Sequence, residues 1–221
     1  MSYYQTASVA NVDSLITTIK NLLVNSGSCS ALEINTSSVN PPVYESSNNV
    51  NYKGREIIFK FNGTSSDPTK FYLSLNRFCG TSGYFGIGAT LFSGVKNFDS
   101  PVTVTAVTRS AAGIVTVTCS SPHNLQTGDK IIYNGCSNSY LNEGWKPSGV
   151  ASANTFFTAS VVNTTIFTYK ASRITAESGS GGYVLAVYNP SNDRTDNYTN
   201  NPYTNSITFT RSEEHTSELQ S

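Results

Sequence analysis

The sequence predicts a mainly β fold: a β-sandwich with one N-terminal helix and an inserted small β-barrel-like module. Three observations support this prediction. Apolar residues recur at helical spacing over 12–23, and from Leu32 onward short β-branched and aromatic runs alternate with Gly, Pro, Asn and Ser clusters. From Pro101 a second pattern of alternating Val and Thr begins. With 221 residues, 38% of them hydrophobic, the chain can bury a core without metal or disulfide.

The one predicted helix lies in NVDSLITTIKNLLVNSG, residues 11–27. Asn11 suits an N-cap, Asp13 suits the positive end of the helix dipole, and Gly27 suits a C-terminal stop. We expect the apolar stripe to pack against a sheet; it consists of Val12, Leu15, Ile16, Ile19, Leu22 and Leu23.

Four strands of the sandwich are predicted next, in ALEIN, REIIFKFNG, KFYLSLNRF and YFGIGATLF. The second and third are expected to form an antiparallel hairpin, because FNGTSSDPTKF between them has loop chemistry. Each is expected to turn one apolar face to the core: Ile57, Phe59 and Phe61 in the second strand, and Phe71, Leu73 and Leu75 in the third.

The glycines of CGTSGYFGIGATLFSG do not form a phosphate-binding loop by pattern. No Lys-Ser or Lys-Thr follows them, and no helical pattern opens there. We interpret them as glycines of a twisted, bulged strand.

The module is predicted to cover 101–182, and the sandwich 1–100 together with 183–210. In the module, VTVTAVTRS and GIVTVTCSS are expected to pair through a turn at 111–113. NTFFTASVV and TTIFTYKAS are expected to pair through Asn163 and Thr164. YVLAVYNP and SITFT are predicted strands of the returning sandwich.

His123 lies in SSPHNLQTGDKIIYNG, 120–135, near Cys119 and Cys136. These residue types could form either a metal site or a nucleophilic site. The metal site lacks a fourth ligand at a familiar spacing, and the nucleophilic site, with Asp129 orienting the imidazole, lacks a nucleophile elbow. We expect a strand, a proline-led corner, a turn and a strand. In this arrangement Cys119 joins the core and a His123 ring nitrogen holds a backbone group.

The loop 136–153 is the predicted contact surface. It carries Tyr140, Asn142, Glu143, Trp145 and Lys146, in which aromatic rings stand beside amides and charges, as suits stacking on a sugar or on another subunit. The interpretation that we favour for the two rings is that Tyr140 and Trp145 close one end of the barrel.

Composition argues against several functions. Charged residues make up 13% of the chain and its net charge is zero, so no basic stripe for nucleic acid is present. No apolar run in the sequence is long enough to span a bilayer, and neither a cofactor motif nor a paired cysteine motif occurs. Residues 211–221, RSEEHTSELQS, resemble a translated sequencing adapter and are expected to be non-native.

Residues 102–170 resemble a known module in their order: a VTxV strand, a GxVTVT strand, SPHNLQTGDKIIYNG, YLNEGW and TFFTASVVNTTIFTY. This order is similar to the small β-domain related to the first catalytic cysteine half-domain of ubiquitin-activating enzymes (FCCH-like), which recurs as an insertion in phage virion proteins. The flanking stretches, such as YKGREIIFKF, resemble phage tail or virion structural proteins, although Cys29 stands where those proteins often have Trp.

The resemblance implies a non-enzymatic structural component of a bacteriophage particle, tail-associated, with a surface-exposed β-module. Implied partners are other virion subunits, a second copy of the chain and a host surface glycan, and the implied location is the virion. A receptor- or glycan-binding module of a tail fibre or baseplate is the alternative.

Overall fold

A computed structural model describes residues 11–27, 29–43, 45, 50, 52–62, 71–79, 85–143 and 156–188. It confirms the mainly β fold with one N-terminal helix. Within these residues the elements are α1 (Val12–Asn25), β1 (Cys29–Asn35), β2 (Lys53–Phe61), β3 (Phe71–Cys79), β4 (Phe85–Phe92), β5 (Gly94–Lys96), β6 (Val102–Arg109), β7 (Ile114–Cys119), β8 (Lys130–Asn134), a 3-10 helix (Ser139–Leu141), β9 (Phe157–Thr158), β10 (Ser160–Val161), β11 (Ile166–Lys170), β12 (Glu177–Gly179) and β13 (Tyr183–Tyr188).

Helix α1 begins where the sequence predicts, because the Asn11 side chain accepts a hydrogen bond from the Ser14 backbone N–H at 2.9 Å. Ile16 is fully buried against the first sheet, joined by Val12, Ile19, Leu23 and Val24. Leu22, predicted to belong to this stripe, is 44% exposed, since it lies to one side of the face that meets the sheet.

The first sheet has the order β1-β2-β3-β4, and all its pairs are antiparallel. The predicted β2–β3 pairing is confirmed, with Phe61 opposite Phe71. The predicted single core face is incomplete, because Ile57 and Phe59 pack under the helix while Ile58 is buried toward the second sheet. The middle of β2 is buried on both faces, which explains the apolar run Ile57, Ile58 and Phe59.

The second sheet has the order β10-β11-β7-β6-β13-β8-β9, with β12 beside β6 and β5 beside β13. The predicted pairing of β6 with β7 is confirmed. The predicted pairing of NTFFTASVV with TTIFTYKAS holds in part, because β10 pairs with β11 whereas β9 pairs with β8. Strand β13, assigned from sequence to the sandwich, is hydrogen bonded instead to β6 and β8.

Strand β13 contributes side chains to two hydrophobic cores. Val184 and Ala186 face the core of the second sheet, whereas Leu185 and Val187 pack toward the first sheet with Ile58 and Tyr72. The run YVLAVY is apolar throughout because both faces are buried. The boundary expected at residue 183 therefore coincides with the start of a strand whose side chains enter both cores.

Strand β6 contains an irregularity that alternation does not reveal. Its register with β7 shifts between Val104 and Ala106, and its burial pattern changes phase there. After the shift, Val107 and Arg109 point inward. One extra residue in a strand reverses the faces of all that follow, so a charged side chain is placed inside the fold.

A buried polar cluster joins the two sheets. The Asn134 side chain is fully buried and donates to Glu56 Oε2 at 2.7 Å and to the Gly54 carbonyl at 3.1 Å. Asn35 donates to Asn134 Oδ1 at 2.9 Å, and Lys53 Nζ lies 2.9 Å from Glu56 Oε2. Since the partners come from both sheets, these bonds fix how the sheets sit on each other.

Several predicted features lie outside the described residues: most of the β2–β3 loop, the strand SITFT and residues 211–221. In the part of the chain that the structure describes, no helix has the length and apolar character needed to cross a membrane.

Candidate contact surface around Tyr140

The corner at His123 has the predicted form. His123 is 1% exposed, its Nδ1 accepts from the Leu125 backbone N–H at 3.0 Å, and its Nε2 lies 2.9 Å from the Asn163 carbonyl oxygen. Because a backbone N–H can only donate, Nδ1 is the acceptor and Nε2 carries the proton that it donates to Asn163. Both ring nitrogens are therefore occupied by backbone groups.

The cysteines near this corner lie in the core. Cys119 is 5% exposed beside Val115 and Val117, as predicted, and Cys136 is 7% exposed in the same cluster. Burial raises the pKa of the Cys119 thiol to about 11, so the thiol stays protonated at neutral pH. Among the described residues, no group of three His, Cys, Asp or Glu is placed to hold a metal ion.

The loop after β8 turns sharply and closes on itself. Asn142 bridges it, since its Oδ1 accepts from the Cys136 N–H at 2.8 Å and its Nδ2 donates to the Cys136 carbonyl at 3.2 Å. Between them, Asn138 caps the 3-10 helix by accepting from the Tyr140 N–H at 3.1 Å. Leu141 enters the core and Tyr140, one residue earlier, is 42% exposed.

Arg109 is the centre of the polar group beneath this loop. Its fully buried guanidinium donates to Glu143 Oε1 through Nη1, which also donates to the Tyr140 carbonyl at 3.1 Å, and through Nε to the Thr175 carbonyl at 2.8 Å. Its Nη2 lies 3.2 Å from Glu177 Oε2. Burial raises the pKa of the Glu143 carboxyl, and the Arg109 charge opposes that rise.

The Tyr140 ring rests on two further side chains. The Arg173 guanidinium lies over it, 4.3 Å from the ring centroid, and the Tyr52 ring meets it edge to face at 5.4 Å. Arg173 is held by Glu177 and by Glu45, whose Oε2 lies 3.1 Å from Nε. A cation over an aromatic face and an edge-to-face pair both restrict the ring. The exposed part of Tyr140 is therefore presented in one orientation.

Of the five residues predicted for the contact surface, the structure places three. Tyr140 is at the surface, whereas Asn142 and Glu143 are each 3% exposed and bonded within the protein. Those two side chains hold the loop and are not presented to a ligand, because backbone and Arg109 groups occupy their polar atoms. Trp145 and Lys146 lie outside the described residues.

Sequence reasoning missed the side chains that support Tyr140: Tyr52, Arg109, Arg173, Glu45 and Glu177. Arg109 is the last residue of a strand that its alternating sequence predicts. The register shift in β6 turns the Arg109 side chain inward, and the alternation does not indicate that shift. Arg173 and Tyr52 lie far from Tyr140 in sequence, and no local pattern links them.

No family model matches the chain, and a search of curated proteins returned none similar to it.

Proposed function

We propose that the chain is a non-enzymatic structural component of a bacteriophage particle, tail-associated, with 101–182 as a surface module. The observation that carries this proposal is the order of motifs over 102–170, which resembles the inserted module of phage virion proteins. Paired strands occur at the places that this order implies.

The contacts of the module support a structural role. Residues that could have suggested catalysis, Cys119 and His123, are committed to the core and to the corner. Strand β13 and the cluster around Asn134 bind the module to the first sheet through buried contacts on both sides. A module joined in this way is fixed to the first sheet.

Mass spectrometry of purified virions from the phage that encodes the chain tests this proposal. We expect the tryptic peptide covering 110–130 at an abundance comparable to known subunits, and enriched over host cytoplasmic proteins. Virions that contain the neighbouring gene products but no peptide of this chain would reject the proposal.

A second candidate function, receptor or glycan binding, is favoured by the geometry at Tyr140. A fixed, partly exposed tyrosine beside a guanidinium can stack on a sugar ring with little loss of side-chain entropy.

A glycan array tests the second candidate with Tyr140→Ala and Trp145→Ala. Tyr188→Ala is the matched control, because Tyr188 is 46% exposed at the end of β13. We expect binding to fall at least tenfold in the Tyr140 variant and to persist in the control. Hits that both Tyr140→Ala and Trp145→Ala retain would count against a binding role for this loop.

A further inference from the structure

The outer edge of β4 lacks the protection that edge strands usually carry. β4 pairs with β3 over eight successive residues without a register shift, so the bulge expected from its glycines is absent. Its sequence, FGIGATLF, has no charge and no proline, and within the described residues no strand pairs with its outer side. Natural sheets normally blunt such an edge by charge, proline, bulge or shortness.

The other edges of the two sheets are protected in these ways. β1, at the opposite edge of the same sheet, carries Glu33 and has a register shift between Glu33 and Asn35. β9 and β10 at the ends of the second sheet have two residues each. β4 is thus the long regular edge among the described strands.

The side chains of β4 on the helix side of the sheet are apolar. Ile87, Ala89 and Leu91 share that face with Leu73 and Leu75 of β3. Ala89 is exposed and Leu91 is 45% exposed, because α1 leaves this side of the sheet uncovered. The edge therefore offers both unpaired backbone groups and apolar side chains.

We propose that this edge binds the β4 edge of a second copy of the chain, antiparallel, about a two-fold axis. With such an axis, both helices lie on the same side of the joined sheet. Directly opposite residues also point to the same side, so odd-numbered residues face odd-numbered residues. Centred on Ala89, the pairing sets Ile87 opposite Leu91, and Gly86 opposite Phe92. Gly86 and Gly88 then face the larger Phe92 and Thr90, and the apolar Ile87 faces Leu91.

A second copy fits this edge electrostatically. β4 bears no charge and the chain is neutral, so pairing with itself brings no like charges together. The two four-stranded sheets become one sheet of eight strands, and the outer backbone groups of β4 gain partners.

The self-pairing deepens the structural role and rests on the proposed function for its biological setting only. The self-pairing and the structural role can each be rejected while the other stands. Virions that contain the chain, with a chain that stays monomeric in purified form, would reject the β4 contact and leave the structural role standing.

Sedimentation equilibrium of the full chain tests the contact. We expect a reversible dimer, and Ala89→Lys should raise its dissociation constant about tenfold or more, because two ammonium groups would oppose each other near the axis. Ser30→Lys is the matched control, since Ser30 is an exposed residue on the opposite edge of the same sheet. A monomeric wild type, or equal effects of the two variants, would overturn the proposal.

Crosslinking provides a second measurement that does not depend on weakening the contact. Ala89→Cys should give a covalent dimer with a short bismaleimide, whereas Ser30→Cys should not. The native thiols of Cys29, Cys79, Cys119 and Cys136 are buried and leave the background low. Absence of the Ala89→Cys crosslink at concentrations where the wild type sediments as a dimer would place the contact elsewhere and overturn the proposal.

Discussion

At His123, the imidazole makes two hydrogen bonds to backbone groups of the corner. The Leu125 N–H and the Asn163 carbonyl belong to separate segments of the corner, and one ring bonds both. The ring also meets Phe167 edge to face at 5.4 Å. A lone histidine beside a proline thus serves the corner structurally, as its sequence context predicts.

Replacing His123 by Asn should destabilise the protein by about 1–3 kcal/mol, because the shorter amide cannot satisfy both backbone groups. Urea unfolding measures the change. Ser121→Ala, at an exposed position of the same corner, should change stability by less than about 0.5 kcal/mol. Stoichiometric zinc in the purified wild type, lost in the variant, would contradict the structural role.

The thiols should be unreactive in the folded protein. All four cysteines are buried, and burial raises the pKa of Cys119 to about 11, which suppresses the reactive thiolate. Titration with a disulfide reagent at neutral pH should therefore show four thiols only after denaturation. A thiol that reacts at once in the native protein would contradict this placement.

At the scale of elements, α1 is held to its sheet by charge as well as by apolar packing. Asp13 Oδ2 lies 2.5 Å from Arg77 Nη1, and Arg55 donates to Thr17 Oγ1 at 2.6 Å. Glu33 Oε1 accepts a hydrogen bond from Lys20 Nζ at 2.6 Å and lies 3.3 Å from Arg55 Nη2. These contacts set the direction of a helix whose apolar stripe alone permits some rotation.

The Glu33 contacts predict an acid-dependent stability difference. Partial burial raises the pKa of the Glu33 carboxyl, but the hydrogen bonds and charges of Lys20 and Arg55 outweigh it, and the net pKa is lowered from 4.5. A carboxyl with a lowered folded pKa stabilises the protein above its unfolded pKa and loses that effect as pH falls through the folded value.

Glu33→Gln should therefore cost up to about 1 kcal/mol at neutral pH. The difference from wild type should shrink in acid, as the pH falls below 4.5 and through the folded pKa of Glu33. Urea unfolding across this range measures it. Asp99→Asn is the control, because the Asp99 side chain is 76% exposed and its pairing with Lys60 contributes little. A difference for Glu33→Gln that grows in acid would refute the assignment.

At the scale of the whole molecule, the two sheets form one structural unit through the side chains of β13 and a shared polar cluster. β13 buries side chains in both cores, and Asn134 joins groups of the first sheet to the second. We expect the described body to unfold in a single cooperative transition, because neither sheet can lose β13 or the cluster alone.

Asn134→Ala tests that coupling. Removing the amide takes one donor from Glu56 Oε2 and one from the Gly54 carbonyl, and it takes the Asn134 acceptor from the Asn35 side chain. The loss should cost about 1–3 kcal/mol. Asn25→Ala, at an exposed position at the end of α1, should cost less than about 0.5 kcal/mol. Urea unfolding followed by far-UV and near-UV circular dichroism measures both. Wild-type stability in Asn134→Ala would show that the cluster does not couple the sheets.

Part of the candidate site was predictable from sequence and part was not. The loop after β8 and the surface position of Tyr140 followed from an aromatic residue in a polar, turn-rich stretch. The burial of Asn142 and Glu143 did not, because it depends on Arg109, which a register shift turned inward. A polar residue in a loop has no local mark that separates a ligand contact from an internal one.

The sequence by itself determined the local structure: the cap and stripe of α1, the hairpins β2–β3 and β6–β7, and the corner at His123. Each follows from periodicity or turn chemistry within a few residues. Only the tertiary structure decided that β13 lies between β6 and β8, and that Asn35 meets Asn134, 99 residues away. Those outcomes depend on which buried faces and polar groups find each other, and such pairings leave no periodic trace in the chain.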